Sequence, residues 1–547
     1  MELTKRGKLV VGEPYFEAAT PILIDRKGLA EAGAGDLVAV RGGRGRARVE
    51  RVLGRADDIE AVLEGLLVER GLREGFEPYE PPEPSLEGRV DLRDLLTFTI
   101  DPETAKDFDD AISAQREADG VRVWVHIADV SYFVAAGSPL DRGASERAFS
   151  TYVPGRVAPM LPHELADDLC SLRPQVDRLC VSVEVAPGGE ASFYRSVIRS
   201  DARLHYGQAQ AILAGRESAQ PELADALALA NGVSEELRRR RFARGALHVE
   251  SAEVQFAFDG RGGVERAWRE REPASHALIE ELMIVANERV AELLAGRRRE
   301  ALYRVHERPD AQAVSLLLAK LAALEVPTPP EPERMSPAEA ARLAAETSEF
   351  VAAYVEQAGR GREAFSALVL RALEQARYDP RNLGHSGLAS PAYCHFTSPI
   401  RRYPDLVVHR ALLRELGVSD EPLPADLEGL AEHASARERE AADVEYLADA
   451  LCAAWLLDKV LFERGWEEPF TGEIVGLIGS GIFVRFGDIF EGFLPARKLP
   501  GDYFELDPTA TRMQGRRGGE VYRLGDPVDI RVERIEKPTG KVELAPG

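Results

Sequence analysis

Short apolar runs separated by glycine and charge open the chain: Lys8 to Gly12, Ile22 to Asp25, Asp36 to Arg41 and Arg46 to Leu53, with Gly42-Gly43-Arg44-Gly45 before the last. Short strands at this spacing predict a small barrel over residues 1–57. The period then changes. Ile59 to Leu72 carries helical spacing, and Glu77-Pro78-Tyr79-Glu80-Pro81-Pro82-Glu83-Pro84 predicts a stiff, extended linker, so residues 58–85 read as a connecting segment.

A large mixed region is expected over residues 86–465. Its first part is strand-rich. Leu95-Leu96-Thr97-Phe98 reads as a strand, and Val121, Val123, Val125 and Ile127 alternate with Arg122, Trp124 and His126 after the turn Glu117-Ala118-Asp119-Gly120. That pattern predicts a hairpin. Its second part is helical. Leu278, Leu282, Val285 and Ala286 mark one helix face, with Glu280 and Asn287 seven apart on a shared face. A Pro-rich break over Val326 to Pro332 precedes a capping box at Ser336-Pro337-Ala338-Glu339. From residue 466 to 547 strands return. Thr471 to Leu477, Gly481 to Phe486, Gly492 to Leu494 and Val528 to Ile535 predict a second small closed barrel. The fold class expected is α+β: a large mixed domain flanked by two small β-barrels.

The stretch Thr99 to Asp110 places four aspartates, Asp101, Asp107, Asp109 and Asp110, within ten residues at the end of a strand. Crowded carboxylates must be relieved by solvent, protonation or cations. Hard divalent ions such as Mg²⁺ prefer oxygen ligands, usually a few carboxylates plus substrate phosphate oxygens. A solvated turn or helix cap is the competing reading, but a solvated acidic face favours Glu and Lys on a helix. In an extended segment Asp107 and Asp109 would share a face with Asp110 opposite, whereas a bend would let all four converge.

With 547 residues the chain exceeds one ordinary core, so about two to four domains are expected. Hydrophobic content of 45% and charged content of 29% describe a globular protein. No apolar run is long enough to cross a bilayer, and no secretory leader is visible, so no membrane partner is expected. Cys170, Cys180, Cys394 and Cys452 are too scattered for a disulfide framework or a CxxC metal pair, which fits a reducing cytoplasm. The net charge of −23 counts against a general polyanion binder but allows a local basic track for RNA.

Thr99 to Ile112 resembles the catalytic motif of the RNB family, the ribonuclease II and ribonuclease R exoribonucleases. Further blocks agree in order: Val125 to Val130, Tyr152-Val153-Pro154-Gly155, Pro159-Met160-Leu161-Pro162, Asp168 to Leu172, Glu280 to Asn287, Tyr303 to Glu307, and His395 to Tyr403. The segment from Phe470 resembles an S1 RNA-binding barrel, and residues 1–57 resemble a cold-shock barrel. The resemblance implies processive 3′→5′ hydrolysis of single-stranded RNA to nucleoside 5′-monophosphates and a short end product. Two Mg²⁺ ions are implied, replaceable by Mn²⁺, and a monomer is expected. It assigns Asp101, Asp107, Asp109 and Asp110 as metal ligands or their orienters, and Arg401 as the contact to the scissile phosphate. Tyr152 grips the terminal nucleotide and sets product length, and Tyr206 contacts RNA, with a core tyrosine equally open at 206. Glu280 and Glu281 are candidates for ribose recognition, against a plain helix-surface role. Arg402 is an RNA-binding candidate beside Arg401, with a structural role favoured. In the C-terminal barrel Phe483, Phe486, Phe490 and Phe493 are candidate stacking platforms, some necessarily core, with Arg512, Arg516 and Arg517 supplying charge.

Several features depart from the family. One cold-shock barrel fits where two are common. Gly384-His385-Ser386-Gly387-Leu388 lacks an aromatic. Arg244-Gly245-Ala246-Leu247 is followed by His248 and Val249, where some members carry a stacking phenylalanine. The chain ends Glu543-Leu544-Ala545-Pro546-Gly547 with no lysine-rich tail, an expectation of less aptitude for structured RNA. Two rivals stand beside the exonuclease reading: a catalytically weak RNA-binding or regulatory protein, and an endonuclease or metal phosphatase.

Overall fold

The computed structural model describes residues 1–547 except 18, 26–28, 30, 43–45, 73–74, 249–252 and 270–272. The expected turn residues Gly43, Arg44 and Gly45, and Val249, lie outside the described residues. The chain begins with a closed barrel of Glu2–Arg6, Leu9–Glu13, Ile22–Ile24, Asp36–Arg41 and Arg46–Arg55. Leu3, Ile24, Val38 and Ala47 fill it. Helix Ile59–Glu69 starts at Asp58, whose carboxylate accepts the Glu60 N–H, and it is buried along nearly its whole length. Its buried Glu64 pairs with Arg51 of the barrel and with Arg156, fastening the barrel to the next region.

The centre is a seven-stranded sheet in the order Ala202–His205, Phe98–Asp101, Asp110–Glu117, Gly120–Ala128, Asp177–Val185, Ala191–Arg199, Val90–Asp91. The predicted hairpin is present, pairing Asp110 with Ile127 and turning between Glu117 and Gly120. Both of its faces are covered, however. Val123, Val125 and Ile127 are buried, and so are Trp124 and His126. His126 is satisfied there by Ser113 at 3.1 Å and Ser182 at 2.7 Å, and burial holds its pKa near 3, so it is a neutral core histidine. Helices Pro221–Ala243 and Pro273–Gly296 pack together against the sheet. The second of these buries Leu278, Leu282, Val285 and Ala286, as its spacing predicts.

Helix Leu427–Arg464 runs for 38 residues, about 57 Å at 1.5 Å per residue, from the sheet region to the C-terminal barrel. That barrel closes from Pro469–Ile478, Gly481–Phe486, Phe490–Pro495, Pro527–Glu536 and Lys541–Pro546. A separate three-stranded sheet, Phe504–Leu506, Arg512–Gly515 and Val521–Arg523, is inserted before its last two strands. The architecture is α+β, with a barrel at each end of a mixed central region. No helix among the described residues is long and apolar enough to cross a membrane.

Candidate active site

Strand pairing creates the site. Phe98–Asp101 and Asp110–Glu117 are antiparallel neighbours joined in register only at Phe98 and Ile112. Beyond that pair the strand ends part, and residues 102–109 form a loop. Asp101 and Asp110 therefore stand at the same sheet edge, with Asp107 and Asp109 on the intervening bend. Of the two geometries open in the sequence, the bend is the one adopted.

The electrostatics report crowding. Burial, then the neighbouring Asp110, raises the Asp101 pKa to about 8. Burial raises Asp110 to about 6 against the opposing pull of Arg401. Burial pushes Asp109 well above the carboxylate range, again opposed by Arg401 and reinforced by Asp107. Asp101 Oδ2 and Asp109 Oδ2 are buried and make no hydrogen bond. Buried carboxylate oxygens without a hydrogen bond are costly, and a hard cation would satisfy them. The donor set is all oxygen, which suits Mg²⁺ better than a soft metal. Among the described residues no three acid, histidine or cysteine side chains form a ready-made metal cage. The aspartates thus fit an ion that completes its shell with water and phosphate oxygens, rather than one chelated by protein alone.

Arg401 enters from the other side. Its Nε lies 3.4 Å from Asp109 Oδ2, while its side chain keeps 46% exposure, so the guanidinium borders open space. The loop that carries it is fixed at several points. Ile400 N–H donates to Asp109 Oδ1 at 2.8 Å, and Ser150 N–H donates to the Arg401 carbonyl at 2.9 Å. Asp405, fully buried, accepts from Ser398 N at 2.8 Å and from Arg402 at 2.7 Å. Arg402 is thus held in a pair with buried Asp405, the structural role favoured for it over an RNA contact. Asn287 anchors the preceding segment, accepting from Phe396 N at 2.9 Å and donating to the Tyr393 hydroxyl at 3.0 Å.

Tyr152 sits on the hairpin Thr151–Val153/Arg156–Ala158. Its hydroxyl donates to Asp107 Oδ2 at 2.5 Å, and its N–H donates to Glu445 of the long helix at 2.8 Å. Tyr206 lies close enough for Asp110 and Asp101 to raise its pKa further once burial has done so. Its ring stacks on His276 at 3.7 Å between centroids. Asp101, Asp107, Asp109, Asp110, Arg401, Tyr152 and Tyr206 are therefore drawn to one locus.

Glu280 and Glu281 are not. Glu281 is buried and both its oxygens accept from Arg241, at 3.0 Å and 3.1 Å from Nε. Glu280 keeps 56% exposure and reaches the same arginine at 3.2 Å. These carboxylates balance a buried guanidinium, a structural role for Glu281 that leaves the exposed Glu280 as the open candidate for ribose recognition. Glu280 and Asn287 also differ in burial, the second being only 3% exposed despite their shared helix face. In the C-terminal barrel Phe486 and Phe490 are core, at 2% and 7% exposure. Phe483 and Phe493 form a half-buried ring pair 5.0 Å apart. Arg512 belongs to the inserted sheet and Arg516 pairs with Glu505 just beside it, so neither provides a track beside those rings.

Glu445, Asn287, Asp405 and Arg241 were missed as site-shaping residues. Only Asp405 carried a local signal, an acid in the first turn of the helix Tyr403–Glu415.

The RNB domain family model matches residues 89–417, and the S1 RNA binding domain model matches residues 467–545. Ribonuclease R of Escherichia coli (strain K12) is 37% identical over 491 residues, covering 85% of this chain and 58% of that protein. Ribonuclease R of Vibrio parahaemolyticus is 37% identical over 605 residues, covering 99% and 69%. The chain thus spans well under two thirds of the Escherichia coli relative's length. Among solved structures, Mycoplasma genitalium RNase R in complex with ribose methylated single-stranded RNA superposes with a TM-score of 0.86 at 25% identity, covering 98% of this chain and 89% of that one.

Proposed function

The chain belongs to the RNB family, among proteins similar to ribonuclease R, and on that premise we propose that it is a 3′→5′ exoribonuclease that hydrolyses single-stranded RNA processively to nucleoside 5′-monophosphates. The observation that carries the reading is the convergence of four buried or half-buried aspartates with Arg401 on one bend of the sheet edge. Such a centre suits an anionic nucleophile approaching an anionic phosphate.

The residues divide the work. The half-exposed guanidinium of Arg401 offers a planar fork for two phosphoryl oxygens, held in place by Asp109 and the Ser398–Arg402 loop. Asp101, Asp107, Asp109 and Asp110 would hold Mg²⁺, which when bound neutralises phosphate charge and supplies a nucleophile at neutral pH. Tyr152, clamped at both its N–H and its hydroxyl, presents a fixed ring at the loop's rim for the terminal nucleotide, and Tyr206 presents a second. Water adds to phosphorus, the bond to the preceding 3′ oxygen breaks, and a 5′-monophosphate leaves. The Mycoplasma protein is seen with ribose methylated single-stranded RNA and with double-stranded RNA, which supports RNA as the ligand; the preference for single strands rests on the family resemblance. The four buried thiols suit a reducing cytoplasm.

One second reading is RNA binding with little cleavage. Linear RNA labelled at its 5′ end and a circular copy, each incubated with Mg²⁺, separate the alternatives. The proposal expects 5′-labelled strands converted from the 3′ side to a short end product with few intermediates, and circles left intact. Binding without shortening supports the second reading, and cut circles defeat an exonuclease.

A further inference from the structure

A cavity of ≈ 1360 Å³ separates the C-terminal barrel from the long helix Leu427–Arg464 and the strand Val254–Phe258. Its wall is rich in aromatic rings. Phe483 and Phe493 contribute from the barrel, Tyr503 from the loop beyond it, and Tyr446 from the helix. Tyr446 is 68% exposed and has no hydrogen-bond or ring partner among the described residues. Among the described residues nothing structural holds this ring, and unlike the likewise bare Phe462 of the same helix it faces a cavity.

Its position is informative. Tyr446 follows Glu445, which accepts the Tyr152 N–H, and the Tyr152 hydroxyl in turn holds Asp107. The cavity wall is thereby continuous with the candidate active site through one residue. Three of the cations around it are engaged: Arg485 with Glu363 and Glu491, Arg269 with Glu363, and Arg497 with Glu543. Arg534 and Lys541, both exposed, form no ion pair among the described residues and leave charge for a phosphate backbone beside the open ring faces. Ring faces stack on any base, whatever the sequence. In the sequence, the segment after which some family members carry a stacking phenylalanine runs Arg244-Gly245-Ala246-Leu247-His248-Val249, without one.

We propose that Tyr446 is a base-stacking platform for the RNA strand between the C-terminal barrel and the reaction centre. The assignment rests on the exoribonuclease reading and adds a residue to it. Its test compares wild type, Tyr446→Ala and Tyr446→Phe on two substrates: a trinucleotide, too short to reach the cavity, and a strand of roughly a dozen nucleotides, within the span an OB-type barrel covers. Tyr446→Ala should raise KM for the long strand about fivefold or more with kcat kept, a change of about 1 kcal/mol. The trinucleotide KM should stay at the wild-type value, and Tyr446→Phe should match wild type on both. An equal loss on both substrates, or no loss on the long one, overturns the platform while leaving the exoribonuclease reading intact. Failure of the wild type to shorten either RNA overturns both.

Discussion

Replacing Asp101 by asparagine should make the metal-free protein more stable at neutral pH, and the gain should grow with pH. Asp101 is 8% exposed, its Oδ2 is unpartnered, and its pKa is raised from 3.8 to about 8, first by burial and then by Asp110. A carboxyl that holds its proton more tightly when folded gives the folded state more protons than the unfolded state between those two values. Stability therefore falls as pH rises through that window, opposite to an ordinary salt-bridged aspartate. From 3.8 up to pH 7, at 1.36 kcal/mol per pH unit, the cost reaches a ceiling of about 4 kcal/mol. The realised value is smaller, because Asp101 and Asp110 titrate as a pair and their mutual repulsion counts only once. Asparagine keeps the shape and removes the charge. Denaturant unfolding in EDTA, at about pH 5 and about pH 8, should show wild type losing stability across the interval and Asp101→Asn losing much less. Saturating Mg²⁺ should restore wild type most at the higher pH, since cation and proton compete for the same oxygens. Identical pH slopes for the two proteins in EDTA, with no Mg²⁺ increment at high pH, would refute the reasoning.

Asp109→Asn leaves an acceptor for the Ile400 N–H, so it should lower the cleavage rate roughly 10³-fold while RNA affinity, read by anisotropy in EDTA, changes little. Arg401→Lys keeps the charge and loses the fork; kcat should drop about 10- to 100-fold, and a value within error of wild type would contradict the bidentate role. Glu281→Gln removes one member of a buried pair with Arg241, so unfolding should become easier by about 3–5 kcal/mol. Its preference for RNA over DNA should remain unchanged; a collapse of that preference at wild-type stability would return Glu281 to the ribose.

The hairpin Asp110–Ala128 was legible because period-two alternation and the Asp119-Gly120 turn are both local signals. Both barrels were legible for the same reason, but Glu2–Arg6 and Lys541–Pro546 were not. The first carries three charges in five residues and the second two in six, and each is a strand because a hairpin neighbour pairs with it. Asp101 to Asp110 announced a site through density alone. What turns density into geometry is non-local: the single register pair Phe98–Ile112, the Ile400 amide nearly three hundred residues away in sequence, and Glu445 beneath Tyr152. Arg241 carried no signal of its own. It ends the run Arg238 to Arg241, yet it is buried at 5% exposure and claims Glu281. Burial of one charge in a run depends on which helix packs against it, and no periodicity in the run itself reports that.

The central claim is that the aspartate bend holds a divalent cation where Arg401 can meet an RNA phosphate. Anomalous scattering from manganese-soaked crystals tests it most directly. The account predicts a strong peak between the carboxylates of Asp101, Asp107, Asp109 and Asp110, lost in Asp109→Asn. Manganese at saturating concentration with no peak at that bend, or a peak that survives in the variant unchanged, would contradict it.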